Sequence, residues 1–174
     1  YIADAVNLRR NLFLFSQICD LEIPCILVVN RIDKIKKSGI QINQQELSDY
    51  YKCPVVLTSI TQNIGLQKLK EELKNCQTAS TYKCLFKMNN ADFEQLREIK
   101  SIKNDYWAWL VVHQKCSHKL FTLQEQKHIE SVLSKTTYES EALIKEEAIE
   151  RYTNIDLLLN SVLNQIDKDK SISR

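Results

Sequence analysis

Glycine and proline are nearly absent from this 174-residue sequence, with two of each. That scarcity argues against long flexible linkers and against all-β designs, whose tight turns consume both residues. No apolar run approaches the length of a bilayer-spanning helix, the longest being 25–29 and 107–112. Lys and Arg exceed Asp and Glu by only two, 24 against 22. So small an excess gives no reason to expect nucleic acid or an acidic membrane surface as a partner. Cysteines stand at 19, 25, 53, 76, 84 and 116, yet no Cys-x-x-Cys pair occurs. Most fall in apolar surroundings, which favours reduced thiols used as small core residues of a soluble cytosolic protein.

What is present is organised around Pro24-Cys25-Ile26-Leu27-Val28-Val29-Asn30-Arg31-Ile32-Asp33. The run from Cys25 to Val29 is too short for a helix and rich in β-branched residues, as suits a strand buried on both faces of a parallel sheet. It ends in polar groups, and ligands of open α/β sheets bind at the carboxyl ends of strands. The Asp33 carboxylate can accept two parallel hydrogen bonds, matching the N1–H and N2–H₂ edge of guanine; adenine offers no such edge. Asn30 could buttress the loop or reach the base. The stretch resembles the Asn-Lys-x-Asp base-recognition motif of small GTPases, with Arg31 at the lysine and its aliphatic stem still able to lie along a base plane. Taken alone, an Asn-x-x-Asp after a strand also reads as a helix cap.

Along the chain, Tyr1–Ala5 reads as the tail of a strand. Asn7 is a candidate cap for a helix bearing Leu8, Leu12, Phe15 and Cys19 and ending near Leu21. Lys34, Lys36 and Lys37 sit on a short helix closed by Ser38-Gly39 and form a solvated face. Asn43 and Glu46 have capping-box spacing ahead of a helix with Leu47 and Tyr50 inward. Pro54–Thr58 is the next buried strand, and Leu66, Leu69, Leu73 and Cys76 form an amphipathic stripe. The order β-α-β-α-β-α is that of the second half of a doubly wound sheet, and three strands with an open edge point to a missing N-terminal half. The composition changes at Thr78–Thr81, the expected domain boundary. Beyond it the pattern is helical. Asn90 is a candidate cap for Phe93, Leu96 and Ile99, and Tyr106–His113 is apolar. Thr122 and Glu125 have capping-box spacing. A last helix runs from about Ser140 to Ile166, with Ile144, Ala148, Tyr152, Ile155, Leu159 and Val162 on one stripe.

Two segments are specific. Asp4–Leu12, with Ile23-Pro24 and Asn30…Asp33, and Glu146–Tyr152, with Ile155-Asp156, resemble the cytosolic region of the bacterial ferrous-iron transport protein B family. The resemblance implies a partial P-loop-GTPase-like α/β domain over 1–77 and an all-α helical domain over 78–167. A polar tail over 168–174 would lead towards a transmembrane iron-permeation region. It implies guanine-nucleotide (GTP/GDP) binding, with Mg²⁺ in the complete protein, at the cytoplasmic face of the inner membrane. Asn30, Arg31 and Asp33 fall on the base-recognition motif. Thr58-Ser59-Ile60 falls where GTPases usually show Ser-Ala, and there a backbone N–H, that of Ile60, is expected to donate to guanine O6. Asp4 is expected to be structural.

No Gly-x-x-x-x-Gly-Lys-Ser/Thr occurs, nor the magnesium-binding threonine or the Asp-x-x-Gly switch. Phosphoryl transfer depends on the positioning and charge those groups supply, so these residues alone are expected not to hydrolyse GTP, and none is assigned as catalytic. The expected partners are guanine nucleotide, the missing half-domain and the iron-permeation region; homo-oligomerisation is left open. Alternatives are a fragment of another GTPase, such as a ribosome-assembly factor, or a non-enzymatic helical interaction module. His113, Cys116 and His118 lack the spacing of a structural metal site and read as a surface loop, so no metal is assigned. Trp107 and Trp109, two apart, should face different ways on a helix.

Overall fold

The computed structural model describes residues 1–75, 86, 94–113, 118–135 and 140–165. Two compact units emerge, Tyr1–Tyr82 with Ala148–Arg174, and Lys83–Glu147. The first contains β1 (Ile2–Asp4), α1 (Leu8–Asp20), β2 (Leu27–Asn30), α2 (Ile32–Lys37), β3 (Ile40–Ile42), α3 (Gln44–Tyr51), β4 (Val55–Leu57) and α4 (Leu66–Asn75). The second holds α5 (Glu94–Arg97), α6 (Asp105–Val112) and α7 (Leu123–Leu133). Then come α8 (Ser140–Val162), whose residues from Ala148 on count with the first unit, and β5 (Leu163–Gln165).

The first unit is mixed α/β. Strands β1, β2 and β4 form a parallel sheet in the order β1-β2-β4, with Ile2 opposite Val28, Asp4 opposite Asn30 and Leu27 opposite Val55. Alternation along β2 sends Leu27 and Val29 to one face and Ile26 and Val28 to the other. The first face packs on Leu8, Leu12 and Phe15 of α1, Leu47 and Tyr51 of α3, and Ile155, Leu158 and Val162 of α8. The second packs with Val56 and Leu69 of α4. Helices thus cover both faces, which is why β2 reads as an unbroken apolar run. Each fully buried Leu or Val contributes about 1.5–3 kcal/mol relative to exposure.

Several local expectations are corrected. The helix end at Val162, rather than Ile166, follows from Leu163–Gln165 pairing antiparallel with Ile40–Ile42, a two-stranded ribbon not foreseen in the sequence. The inward residues of α3 are Leu47 and Tyr51, both fully buried, whereas Tyr50 is half-buried. Asn7 makes no side-chain cap. Instead Asp4 caps a 3₁₀ turn over Ala5–Asn7, accepting from Val6 N at 3.0 Å. The α4 stripe is open: Leu73 is exposed, and no residue of this helix is fully buried.

In the second unit Thr122 and Glu125 form the full capping box. Asn104 caps α6 by accepting from Trp107 N at 3.1 Å. Trp109 is buried and stacks on Tyr106, while Trp107 is half-buried and faces elsewhere. Arg97 holds Asp105 through two hydrogen bonds of 2.8 and 3.1 Å. The expected boundary at Thr78–Thr81, the Asn90 cap with Phe93, Cys76 and the tail all lie outside the described residues. Among the described residues, no helix is long and apolar enough to cross a membrane.

Candidate functional site

The parallel register brings the carboxyl ends of β1, β2 and β4 to one edge, so Asp4, Asn30 and Thr58 lie side by side. Beyond β2 the backbone reverses sharply at Arg31, whose φ of 67° is left-handed. The reversal allows Ile32 N to donate to Thr58 O at 3.2 Å and starts α2 with Asp33 in its first turn. Left-handed backbone at a non-glycine residue costs roughly 1–2 kcal/mol. Here it is held from both sides, by the Ile32 bond and by the Arg31 guanidinium, which donates to Asp4 Oδ2 at 2.7 Å.

Asp33 is buried, and Ser59, completely buried, donates from Oγ to its Oδ1 at 2.7 Å. Thr58, also buried, donates from Oγ1 to Asn30 Oδ1 at 3.2 Å, while its backbone N–H continues the sheet to Val29 O at 2.8 Å. The hairpin-like turn that follows is closed by Ser59 N to Ile64 O and Ile64 N to Ser59 O, at 3.1 and 3.0 Å. Gly65 ends it with φ of 77°, and a Cβ there would stand 2.2 Å from Leu57 O. Only glycine fits that approach.

Four of the six residues selected from the sequence therefore form two cross-strand pairs, Asn30 with Thr58 and Asp33 with Ser59. Arg31 is exposed and turned towards Asp4; Ile60 is 62% exposed at the start of a 3₁₀ turn. Asp4, expected to be structural, pairs with the arginine of the motif. Desolvation works against its ionisation, but the Val6 N–H, the Asn7 amide and the Arg31 charge outweigh it and hold its carboxyl below the ordinary value. Gly65 has one signal in the sequence, that it is one of only two glycines in the chain.

A carboxylate oxygen has two lone-pair directions, so Asp33 can keep Ser59 on Oδ1 and still present an acceptor pair to a planar N–H, N–H₂ edge. His113 packs on Trp109, its Nδ1 2.8 Å from Trp109 O, while Cys116 and the His118 side chain lie outside the described residues. Among the described residues no group of three or more His, Cys, Asp or Glu side chains is arranged to hold a metal ion.

Comparison with known proteins shows what the chain is similar to. The family described as ferrous iron transport protein B (FeoB_N) matches residues 1–73. The Fe(2+) transporter FeoB of Salmonella typhimurium is 41% identical over 69 residues, 40% of this chain and 9% of that protein. The cytosolic domain of the T. maritima FeoB iron transporter in its GMPPNP form superposes with a TM-score of 0.72 at 19% identity, covering 94% of this chain and 66% of that one. The cytosolic domain of L. pneumophila FeoB gives 0.69 at 25% identity, with the same coverage. The chain thus spans a small part of the curated relatives and about two thirds of the solved domains. Residues 1–73 are thus similar to the ferrous iron transport protein B family, and the chain has the fold of FeoB cytosolic domains.

Proposed function

We propose that this chain supplies the guanine-selecting part of a nucleotide-binding regulatory region of a ferrous-iron transporter. The observation that supports this most is the buried Asp33 carboxylate held by Ser59 at the carboxyl edge of a parallel sheet. Asp33 would accept N1–H and N2–H₂ of guanine, rejecting adenine because its edge would leave the carboxylate facing an acceptor. Asn30, fixed by Thr58, would line the base. The Arg31 stem would lie against the base plane while its guanidinium stays on Asp4. Ile60, at the mouth, would offer its backbone N–H to O6.

Residues 1–174 contain no phosphate-binding loop motif, so triphosphate and Mg²⁺ would be held by groups outside them, and base selection is the work of this chain. A route for relaying occupancy runs through the first unit. The Asp4–Arg31 pair ends β1, α1 follows at once, and α1 is tied to α8 by Arg9 with Asp156 and by Arg151 with Asp20. From there the nucleotide state would pass to the iron-permeation region at the cytoplasmic face of the membrane.

The test is displacement of a fluorescent guanosine diphosphate from the native gene product. Guanine nucleotides should compete at least a hundredfold better than adenine nucleotides, the discrimination a buried, hydrogen-bonding edge gives at minimum. Equal competition by both would overturn the reading.

A further inference from the structure

The edge of the sheet opposite the candidate site gathers three thiols that come from separate parts of the sequence. Cys19 closes the last turn of α1, Cys25 stands two residues before β2, and Cys53 two residues before β4. All three are free thiols, with Cys19 Sγ and Cys25 Sγ 4.0 Å apart. Cys19 and Cys53 are buried, 1% and 4% exposed, whereas Cys25 is half-buried and reachable from solvent.

We propose that Cys25 and Cys19 form a dithiol modification site that reacts with two-electron oxidants of the hydrogen peroxide class, Cys25 being attacked first and Cys19 resolving it. Cys25 is suited to the first step by access and by its neighbours. Cys19 Sγ is near enough for its S–H to donate to a Cys25 thiolate, and sulfur hydrogen bonding there lowers the Cys25 pKa while it and burial push Cys19 up. The thiolate is the nucleophile.

The Cys25 thiolate attacks one peroxide oxygen; an S–O bond forms as the O–O bond breaks, and the departing hydroxide takes up a proton and leaves as water. The sulfur has lost two electrons and the peroxide has gained them. Cys19 then attacks the sulfenic sulfur, forming S–S as S–O breaks, and its proton leaves with the hydroxide as a second water. Two thiols and one peroxide give one disulfide and two waters. The sulfurs must close from 4.0 Å to a bond of about 2 Å. The intervening turn is solvent-facing, with exposed residues at Glu22, Ile23 and Pro24. Cys53 is the poorer partner, because its carbonyl is held by Ser48 Oγ at 2.8 Å and its backbone runs directly into β4. This inference is independent of the nucleotide reading.

The test uses native protein treated with hydrogen peroxide, capped with an alkylating agent and mapped by mass spectrometry. Cys19 and Cys25 share the tryptic peptide 11–31. That peptide should appear about 2 Da below its dithiol mass, uncapped, and should recover both caps after reduction by dithiothreitol. Cys19→Ser should leave Cys25 as a sulfenic acid trapped by dimedone, and Cys25→Ser should leave Cys19 unmodified. Without peroxide, Cys25 should alkylate roughly tenfold faster than Cys19 or Cys53. Full capping of both thiols after peroxide, or a dominant Cys25–Cys53 cross-link, would overturn the proposal.

Discussion

Ser59 Oγ donates to Asp33 Oδ1 at 2.7 Å, joining the loop after β4 to the first turn of α2 inside the protein. The bond has an ionised acceptor, so removing its donor should cost about 1.5–3 kcal/mol of positioning. Ser59→Ala in the native gene product should therefore weaken guanine-nucleotide binding at least about tenfold while leaving the fold intact. Isothermal titration with guanosine diphosphate checks this, and unchanged affinity would mean that Asp33 needs no such support.

Gly65 lies directly behind that loop, at φ of 77° with Leu57 O in the way of any Cβ. Gly65→Ala should destabilise the first unit by roughly 1–3 kcal/mol, from left-handed strain together with a steric clash. A urea melt followed by circular dichroism measures it.

Arg151 is buried and donates to Asp20 Oδ2 and Ser16 Oγ at 2.8 and 2.9 Å. Removing one side of such a pair leaves an uncompensated charge in the core. Arg151→Met should cost about 3–5 kcal/mol in chemical denaturation. Adding Asp20→Asn should cost less in that background than in the wild type, because the two side chains are coupled. By contrast Arg9 and Asp156, paired at 2.6 Å but half-exposed, should hardly change the melting temperature when either is replaced by alanine.

Glu125 accepts from Ser101 Oγ at 2.7 Å and from Thr122 N and Oγ1 at 2.8 and 2.9 Å. Led by the Ser101 hydroxyl, these bonds lower its pKa from 4.5 to about 2. Because the folded value is the lower one, the contribution is fully present above pH 4.5 and is lost as pH falls towards 2. Ser101→Ala should move the titration midpoint of Glu125, read by carboxyl-carbon NMR, back towards 4.5. An unmoved midpoint would assign the shift to the cap alone.

Much of this was legible because it is local. The apolar runs of β2 and β4, the polar residues ending them and the Thr122 capping box are patterns within a few residues, and physics at that range acts on neighbours in sequence. The β3–β5 ribbon was not legible. Each strand is three residues long, and the partners Ile42 and Leu163 are far apart in the chain, so neither segment shows a strand signature alone. The same holds for the Asp4–Arg31 pair and for the thiols at 19, 25 and 53, which meet only once the sheet has its register. Asp33 and Ser59 could each be picked out as strand-end polar residues; their mutual hydrogen bond could not.

Base selection by Asp33 is the point on which the functional reading stands. Asp33→Asn replaces an acceptor pair with one acceptor and one donor, which suits the additional C2 carbonyl of xanthine and not the amino group of guanine. The decisive measurement is the ratio of affinities for guanosine and xanthosine diphosphates in the native gene product and in Asp33→Asn. The ratio should fall by about a hundredfold or more, with xanthosine diphosphate becoming the preferred ligand. An unchanged preference for guanine in the variant would contradict the assignment of this edge as the base-recognition site.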